Sequence, residues 1–377
     1  MNTQKSFQFD FRSYFRNVGR PIVRAMLCLS LCVLGLGLSA SAQKPIIITF
    51  DAPGAGTESG YGTFTSGITP TGTIAGYIID NTYVWHGFLR APDGKFTPIN
   101  VPGSGGTGGG TFVDGISPEG ATVGGWCNLI SPNYECDGFL RAPDGKFTAV
   151  HVPGSGALGA APSSMNVWGA ISGNYLDAVN ADHGFLRAPD GSIATFDAPG
   201  ATTNVAWEGT IPIPFSGINL EGTITGYYTD TDDVLHGFLR ALDGRIKSFD
   251  PPGSTDTLAE GINAAGTIVG QYADSSGVAH GFLRAPNGAY TTVDPPGSVY
   301  TFAVGINDAG AIAGLYYDTN WVPYGFSRSP DGKFTTFDLP GASGWQWWSH
   351  YAINQAGAIA GSYWDASGIG HGFLWIP

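Results

Sequence analysis

The stretch His86-Gly-Phe-Leu-Arg-Ala-Pro-Asp-Gly-Lys-Phe-Thr97 recurs with small changes along the whole chain. Its Pro-Asp-Gly centre is typical of a tight turn, and the runs on either side are typical of β-strands. A turn this short makes its two flanking strands pair side by side. Each copy of the stretch therefore predicts a β-hairpin.

The Gly-Phe pair of this stretch occurs seven times, and we number the repeats of the chain by it. A motif such as Gly-Thr-Ile-Ala-Gly-Tyr precedes the pair, an Ile-Asn motif precedes that one, and Phe-Asp-x-Pro-Gly follows. Each repeat therefore holds four short runs bounded by Gly, Pro, Asn and Asp, which predicts four strands joined by turns. In repeats 1 to 7 the pair begins at Gly87, Gly138, Gly184, Gly237, Gly281, Gly325 and Gly372.

Four strands in every 44 to 53 residues, repeated seven times, are typical of a β-propeller. Residues 46–51 read as a fourth strand without its first three, and the chain ends with three strands without a fourth. We therefore predict an all-β fold for residues 43–377, a seven-bladed β-propeller of four-stranded blades. Its ring would be closed by the N-terminal strand pairing with the last blade. An open β-solenoid is the alternative, against which the tight hairpins argue.

The combined pattern Ile-Asn-x-x-Gly-x-Ile-x-Gly-Tyr and His-Gly-Phe-Leu-Arg resembles the HAF-family repeats of bacterial extracellular proteins. The resemblance covers nearly all of residues 45–377. It implies export and a repeat architecture, and it brings no catalytic residues. Asp137 and Tyr324 stand where the pattern has His in repeats 2 and 6.

Residues 1–42 have the pattern of a secretory signal peptide. Four arginines precede an apolar run, residues 25–38, which is short for a membrane span, and Ala40-Ser41-Ala42 matches an A-x-A cleavage site. We predict a mature chain that starts at Gln43, has no membrane span and is secreted to the periplasm or outside the cell. An uncleaved membrane anchor is the alternative.

The charge of the chain limits its partners. Lys and Arg number 17 against 30 Asp and Glu, which gives a net charge of −13, and the mature part has no basic tract. This composition argues against binding to nucleic acid or to anionic membrane surfaces. We expect a monomer whose partner is a polysaccharide or an extracellular protein, and we predict no cofactor.

An Asp lies six residues before a His in five repeats. Such pairs resemble acid/base or metal-ligand pairs, but an active site is rarely built in five equivalent copies. We interpret them as structural: Asp would satisfy the amides of the loop between the second and third strands, and His would pair across the hairpin. We predict no metal site. The pairs are Asp80/His86, Asp177/His183, Asp230/His236, Asp274/His280 and Asp365/His371.

Repeat 2 lacks both the Asp and the His, and it has Cys127 and Cys136 at the two sides of the same loop. Export makes oxidation of such a pair favourable. We predict a disulfide that replaces the missing polar pair. The spacing is not that of a Cys-x-x-Cys motif, which argues against zinc binding and redox chemistry.

The loops between the second and third strands leave a propeller on the same side as the connections between blades. The connections vary widely in length between repeats, and the segments on this side collect aromatic and titratable residues. We interpret them as a binding platform for a sugar ring or a protein; the alternative is that the Trp side chains fill the channel mouth as core. The candidate residues are Trp85, Trp207, Glu208, Trp321, Trp345, Trp347, Trp348 and His350.

Three functions fit these patterns. The first is a secreted, non-catalytic binding module. The second is a carbohydrate-active enzyme, a lyase or hydrolase, in which His350 acts with Glu208 or Glu58 at the channel mouth. The third is a structural protein of the cell surface.

Overall fold

Short strands and tight turns make up the chain in a computed structural model that describes residues 44–130, 135–212, 217–343 and 350–377. These ranges contain no helix, and so none that could span a membrane. The predicted signal peptide and three of the candidate residues, Trp345, Trp347 and Trp348, lie outside the described residues.

The strands follow the order of the sequence motifs. In repeats 1 to 3 and the segment before them they are β1 (Ile46–Phe50), β2 (Gly62–Ile68), β3 (Ile74–Ile79), β4 (Trp85–Arg90), β5 (Phe96–Ile99), β6 (Gly110–Ile116), β7 (Thr122–Asn128), β8 (Glu135–Arg141), β9 (Phe147–Val150), β10 (Ala160–Met165), β11 (Ile171–Leu176), β12 (Asp182–Arg187) and β13 (Ile193–Phe196). In repeats 4 to 7 they are β14 (Thr210–Pro212), β15 (Ile224–Thr229), β16 (Leu235–Arg240), β17 (Ile246–Phe249), β18 (Ser254–Ile262), β19 (Ile268–Asp274), β20 (Ala279–Arg284), β21 (Tyr290–Thr292), β22 (Tyr300–Ile306), β23 (Ile312–Tyr317), β24 (Pro323–Arg328), β25 (Phe334–Asp338), β26 (Tyr351–Ile353), β27 (Ile359–Trp364) and β28 (Gly370–Ile376).

Consecutive strands pair antiparallel within each repeat. Repeats 3 to 6 form four separate four-stranded sheets, from β10–β13 to β22–β25. The other repeats join into one twelve-stranded sheet, because single parallel pairs, Gly62 with Gly370 and Trp85 with Gly110, link their antiparallel runs. This all-β architecture of four-stranded sheets is consistent with the predicted β-propeller.

The N-terminal strand pairs with the last strand of the chain. β1 runs antiparallel to β28, from Ile46 opposite Ile376 to Phe50 opposite Gly372. The pairing gives repeat 7 a fourth strand beside its third, as the sequence predicts for this strand. Next to it, β26 of repeat 7 contacts both β22 of repeat 6 and β2 of repeat 1.

A Gly and a Phe on neighbouring strands form the core of each repeat. In repeat 1, Gly76 of β3 is opposite Phe88 of β4, and a Cβ atom on Gly76 would lie 2.9 Å from the Phe88 ring. The ring therefore covers the glycine, and its burial contributes about 1.5–3 kcal/mol per repeat. The equivalent rings are 0–4% exposed: Phe88, Phe139, Phe185, Phe238, Phe282, Phe326 and Phe373.

A buried Asn links each of repeats 3 to 7 to the repeat that follows it. Asn219 Oδ1 accepts from the amides of Glu221 and Thr223 in its own turn, and its Nδ2 donates to the carbonyl of Asn263, 3.3 Å away. A buried amide that is satisfied in this way avoids a desolvation cost. Asn166, Asn263 and Asn307 donate to the next repeat similarly, and Asn354 of repeat 7 donates to Thr69 of repeat 1.

The loops between second and third strands and the connectors between repeats lie at the end of the sheets opposite these Asn turns. We call this end the variable end. There the Gly108 amide donates to the Tyr83 carbonyl at 2.6 Å, and the Gly60 amide donates to the Gly368 carbonyl at 2.8 Å. Each of these two connectors is therefore hydrogen-bonded to the loop of the preceding repeat. The predicted disulfide is confirmed at this end, with Cys127 and Cys136 opposite each other on β7 and β8 and an S–S distance of 2.04 Å.

Candidate ligand-binding face

An Asp opens the loop between the second and third strands in six repeats. In repeat 1, the amides of Thr82 and Val84 donate to Asp80 Oδ1 at 2.8 and 3.0 Å. Partial burial acts to raise the pKa of Asp80, but the hydrogen bonds from Thr82, His86 and Val84 outweigh it and lower the pKa. The same two amide bonds form at Asp177, Asp230, Asp274, Asp318 and Asp365.

The His of four pairs lies between two carboxylates, whereas His86 of repeat 1 lies between Asp80 and the amide oxygen of Asn100. His236 Nε2 is 3.2 Å from Asp230, and its Nδ1 is 2.8 Å from Asp250, a residue of the fourth-strand motif. In repeat 7 this second carboxylate is Asp51, which follows β1, at 2.8 Å from His371. These contacts are those that the structural interpretation of the Asp/His pattern predicts. No group of three or more His, Cys, Asp or Glu in the described ranges is arranged to hold a metal ion.

The residue three positions after the loop Asp has a left-handed backbone in all six of these loops. In repeats 5 and 7 it is Gly277 and Gly368, which adopt this conformation at little cost. In repeats 1 and 6 it is Tyr83 and Trp321, each with φ of 61°. This left-handed conformation costs a residue with a Cβ atom about 1–2 kcal/mol relative to the right-handed one. Asn180 and Asp233 occupy the position in repeats 3 and 4.

Tyr83 belongs to a group of three rings, which we call the repeat-1 aromatic cluster: Tyr61, Tyr83 and Trp85. Tyr83 is 41% exposed. Its ring centroid lies 4.9 Å from that of Trp85 and 5.8 Å from that of Tyr61. Tyr61 and Trp85 are half-buried. The cluster thus combines a supported base with an accessible ring at the variable end.

Trp321 belongs to a similar group, the repeat-6 aromatic cluster of Tyr300, Tyr317 and Trp321. Trp321 is 51% exposed, and its centroid lies 5.2 Å from Tyr300 and 6.1 Å from Tyr317. Tyr317 is buried beneath them. The Tyr300 hydroxyl donates to the carbonyl of Gly277 in repeat 5, 2.7 Å away, which holds the cluster against its neighbour.

Trp207 and Glu208 lie in the connector into repeat 4. Trp207 is 63% exposed with φ of 67°, and its amide donates to the Asn180 carbonyl at 2.7 Å. Burial raises the pKa of the half-buried Glu208, and the charge of Asp233 and a hydrogen bond with it raise the pKa further. Two carboxylates therefore meet beside an exposed Trp.

His350 has a different environment from these loop residues. It is half-buried, and its burial lowers its pKa to about 4. Glu208 faces Asp233, whereas the enzyme hypothesis pairs it with His350. A neutral imidazole with so low a pKa is poorly matched to proton transfer near neutral pH.

Two acidic residues of the first strands are not among the candidate residues of the sequence analysis. Asp114 and Glu260 sit at β-bulges in β6 and β18, and burial raises the pKa of each to about 8. Burial also raises the pKa of Tyr77, with a further contribution from Asp114 in the next repeat. The equivalent pair in repeats 4 and 5 is Tyr227 and Glu260.

Asp182 joins the second of these pairs. Burial raises its pKa to about 6 despite a hydrogen bond of 2.5 Å from Asn174. Its charge, with that of Glu260, adds to burial in raising the pKa of Tyr227. Three titratable groups from repeats 3, 4 and 5 therefore interact inside the protein.

Comparison with known proteins gives similar structures only. No protein-family model matches the chain, so the resemblance to HAF repeats stays a prediction. No curated protein sequence matches it either.

Similar solved structures include TolB from Acinetobacter baumannii, with 11% identity and a TM-score of 0.45 over 73% of this chain and 62% of that one. Puromycin hydrolase has 12% identity and a TM-score of 0.47 over 84% of this chain and 50% of its own. The BP39L lectin from Burkholderia pseudomallei has 10% identity and a TM-score of 0.43 over 72% and 82%. The chain thus spans less than two thirds of the first two proteins, and likenesses this distant assign no function to it.

Proposed function

We propose that the protein is a secreted, non-catalytic binding module whose ligand, a carbohydrate or a protein, binds at the variable end. The observation that carries the proposal is the exposure of aromatic rings there, since exposed clustered aromatics are costly unless they contact a partner. The proposed ligand-binding residues are those of the sequence analysis: Trp85, Trp207, Glu208, Trp321, Trp345, Trp347, Trp348 and His350.

The proposal includes a seven-bladed propeller, one blade per repeat, closed into a ring by β1. In support, the junction of repeat 7 with repeat 1 is built like internal junctions. The pair Gly62–Gly370 repeats the pairs Trp85–Gly110 and Asp182–Gly209, and the Asn354 bond to Thr69 repeats the internal Asn bonds. A closed ring leaves no sheet edge open to other chains, which agrees with a monomer.

The proposal also includes removal of residues 1–42 during export. The disulfide Cys127–Cys136 supports an oxidising compartment, the periplasm or the exterior of the cell. The acidic composition supports a partner other than nucleic acid or an anionic membrane surface.

A carbohydrate-active enzyme is the second candidate, and one observation favours it. Burial raises the pKa of Glu260 to about 8, and its charge raises the pKa of Tyr227; a carboxyl group of this kind can act as a general acid. Loss of glycan cleavage in Glu260→Gln, with unchanged glycan binding, would support this candidate. An absence of cleavage by the wild-type protein would remove it.

A glycan array and a pull-down from extracellular material test the binding proposal with the secreted chain. Trp207→Ala is the test variant. Trp168→Ala is its matched control, because Trp168 is also exposed, at 57%, but lies in the Asn-x-x-Gly turn at the other end of the sheet. We expect binding to fall about tenfold or more in the first variant and to persist in the second. Equal binding by both variants would contradict a site at Trp207, and no binding by the wild type would favour the structural alternative.

A further inference from the structure

The left-handed position of the six Asp loops holds residue types that differ in how well they tolerate this backbone conformation. Six loops place a residue there, and Gly277 and Gly368 show that glycine suffices to close the loop. Asn180 and Asp233 are residue types that tolerate the conformation. Tyr83 and Trp321 are bulky and strained in it. Loop closure therefore does not account for the two aromatic residues.

The two strained residues are also displayed in the same way. Each ring is about half exposed, at 41% for Tyr83 and 51% for Trp321. Each ring packs against a Tyr at the entry to the first strand of the same repeat: Tyr61, directly before β2, at 5.8 Å and Tyr300, the first residue of β22, at 5.2 Å. Two repeats that are far apart in the sequence thus present one arrangement, an accessible ring on an aromatic base.

The surroundings of the rings favour a neutral, hydroxyl-rich ligand. Residues 51–89 and 297–327 contain no Lys or Arg, so the segments that build the two clusters supply neither residue to pair with a sulfate, phosphate or uronate. Near Tyr83 the exposed side chains are hydroxyls, an amide and a carboxylate: Thr57, Glu58, Ser59, Asn81 and Thr82. Aromatic faces with a few polar groups beside them fit a sugar ring, whose apolar face stacks while its hydroxyls form hydrogen bonds.

We propose that Tyr83 and Trp321, with Tyr61 and Tyr300, form two equivalent subsites that each stack against a pyranose ring of a neutral glycan. The inference rests on the proposed binding function and narrows it to one ligand class and two loops. Two equivalent subsites in one molecule would strengthen binding to a polymer relative to a single sugar. The strained backbone is thus maintained for ligand contact at the expense of stability.

The double variant Tyr83→Gly/Trp321→Gly tests the proposal, because glycine occupies this position in repeats 5 and 7. We expect its unfolding temperature to stay the same or to rise by about 1–3 °C, since strain is relieved. We expect its binding to neutral glycans on an array to fall about tenfold or more. Asn180→Gly is the matched control, which changes the same loop position without removing a ring and keeps full binding. The double variant Tyr83→Phe/Trp321→Phe keeps an aromatic ring at both positions, and we expect its binding to neutral glycans to fall only a few-fold.

The outcomes separate this inference from the broader proposal. Binding that is lost in Trp207→Ala but kept in the glycine double variant would overturn the two subsites and leave the binding function standing. A fall of several degrees in the unfolding temperature of the glycine variant would show that the rings serve the fold, and it would also overturn the inference. Binding of the wild type to sulfated or uronate glycans only, or to a protein only, would contradict the neutral-glycan assignment.

Discussion

The two ends of each sheet differ in what their turns do. At the turn end, the Asn-x-x-Gly turn recurs in five repeats and the Pro-Asp-Gly turn in four, and buried Asn side chains connect one repeat to the next. At the variable end, one loop framework built on Asp recurs in six repeats and carries residues that differ between most of them, including strained, exposed rings. The difference indicates that stability is concentrated where the repeats agree, and that ligand contact is expected where they depart from one another.

The largest effect is expected from Asn263→Ala at the turn end. The variant loses the bond from Asn263 Nδ2 to the Asn307 carbonyl and leaves the Thr267 amide without its bond to Oδ1. We expect a loss of about 2–3 kcal/mol in the free energy of unfolding, measured with urea. Asn320→Ala, in an exposed loop of the variable end, is the control and should stay within about 0.5 kcal/mol. Equal losses in the two variants would remove the distinction between the ends.

A smaller effect is expected from Glu260→Gln, which tests a first-strand position where one repeat departs from its neighbours. The pKa of Glu260 is about 8 in the folded chain against 4.5 ordinarily, so the folded state holds the proton more tightly. The contribution of this tightly held proton to the free energy of unfolding is fully present below pH 4.5 and is lost as the pH rises to 8. Because Glu260 is only half-buried and solvent screens its charge, the Gln variant should be more stable than the wild type at pH 8 by about 1–2 kcal/mol.

Urea unfolding at several pH values between 4.5 and 8.5 measures this difference. The gap between the variant and the wild type should widen steadily across the range. A constant gap would mean that Glu260 is already ionised in the folded protein, and it would also weaken the enzyme candidate.

The smallest effect is expected from the His residues of the variable end. Burial acts to lower the pKa of His236, but its hydrogen bonds with Asp250 and Asp230 outweigh burial and raise the pKa above the ordinary 6.5; His280 behaves alike with Asp294 and Asp274. Their stabilisation is therefore fully present below pH 6.5 and is lost as the pH rises through the raised pKa values. Because these pairs are partly exposed, we expect less than about 1 kcal/mol for each His.

The variant His236→Gln/His280→Gln checks this sign. Relative to the variant, the wild type should be more stable at pH 5.5 than at pH 8.5 in urea unfolding. The opposite trend would show that the imidazoles are neutral in the fold and that desolvation dominates.

Several features of this protein are determined by the sequence alone. The Pro-Asp-Gly turns predicted the hairpins, and the two Cys residues in place of a polar pair predicted the disulfide between β7 and β8. The spacing of Asp and His predicted the loop contacts of Asp80 and its equivalents. These features are accessible because turn chemistry and hairpin pairing depend on residues close together in the chain.

Only the tertiary structure decided the rest. Asp51 is hydrogen-bonded to His371, which is 320 residues away in the sequence. Asp114 of repeat 2 interacts electrostatically with Tyr77 of repeat 1. Tyr83 and Trp321 occupy the same left-handed loop position that holds glycine in two other loops. The repeats can be aligned from the sequence, but only the backbone angles show that this position is left-handed. Such contacts depend on how twisted sheets lie against one another and how each loop closes, and no local pattern of residues encodes that arrangement.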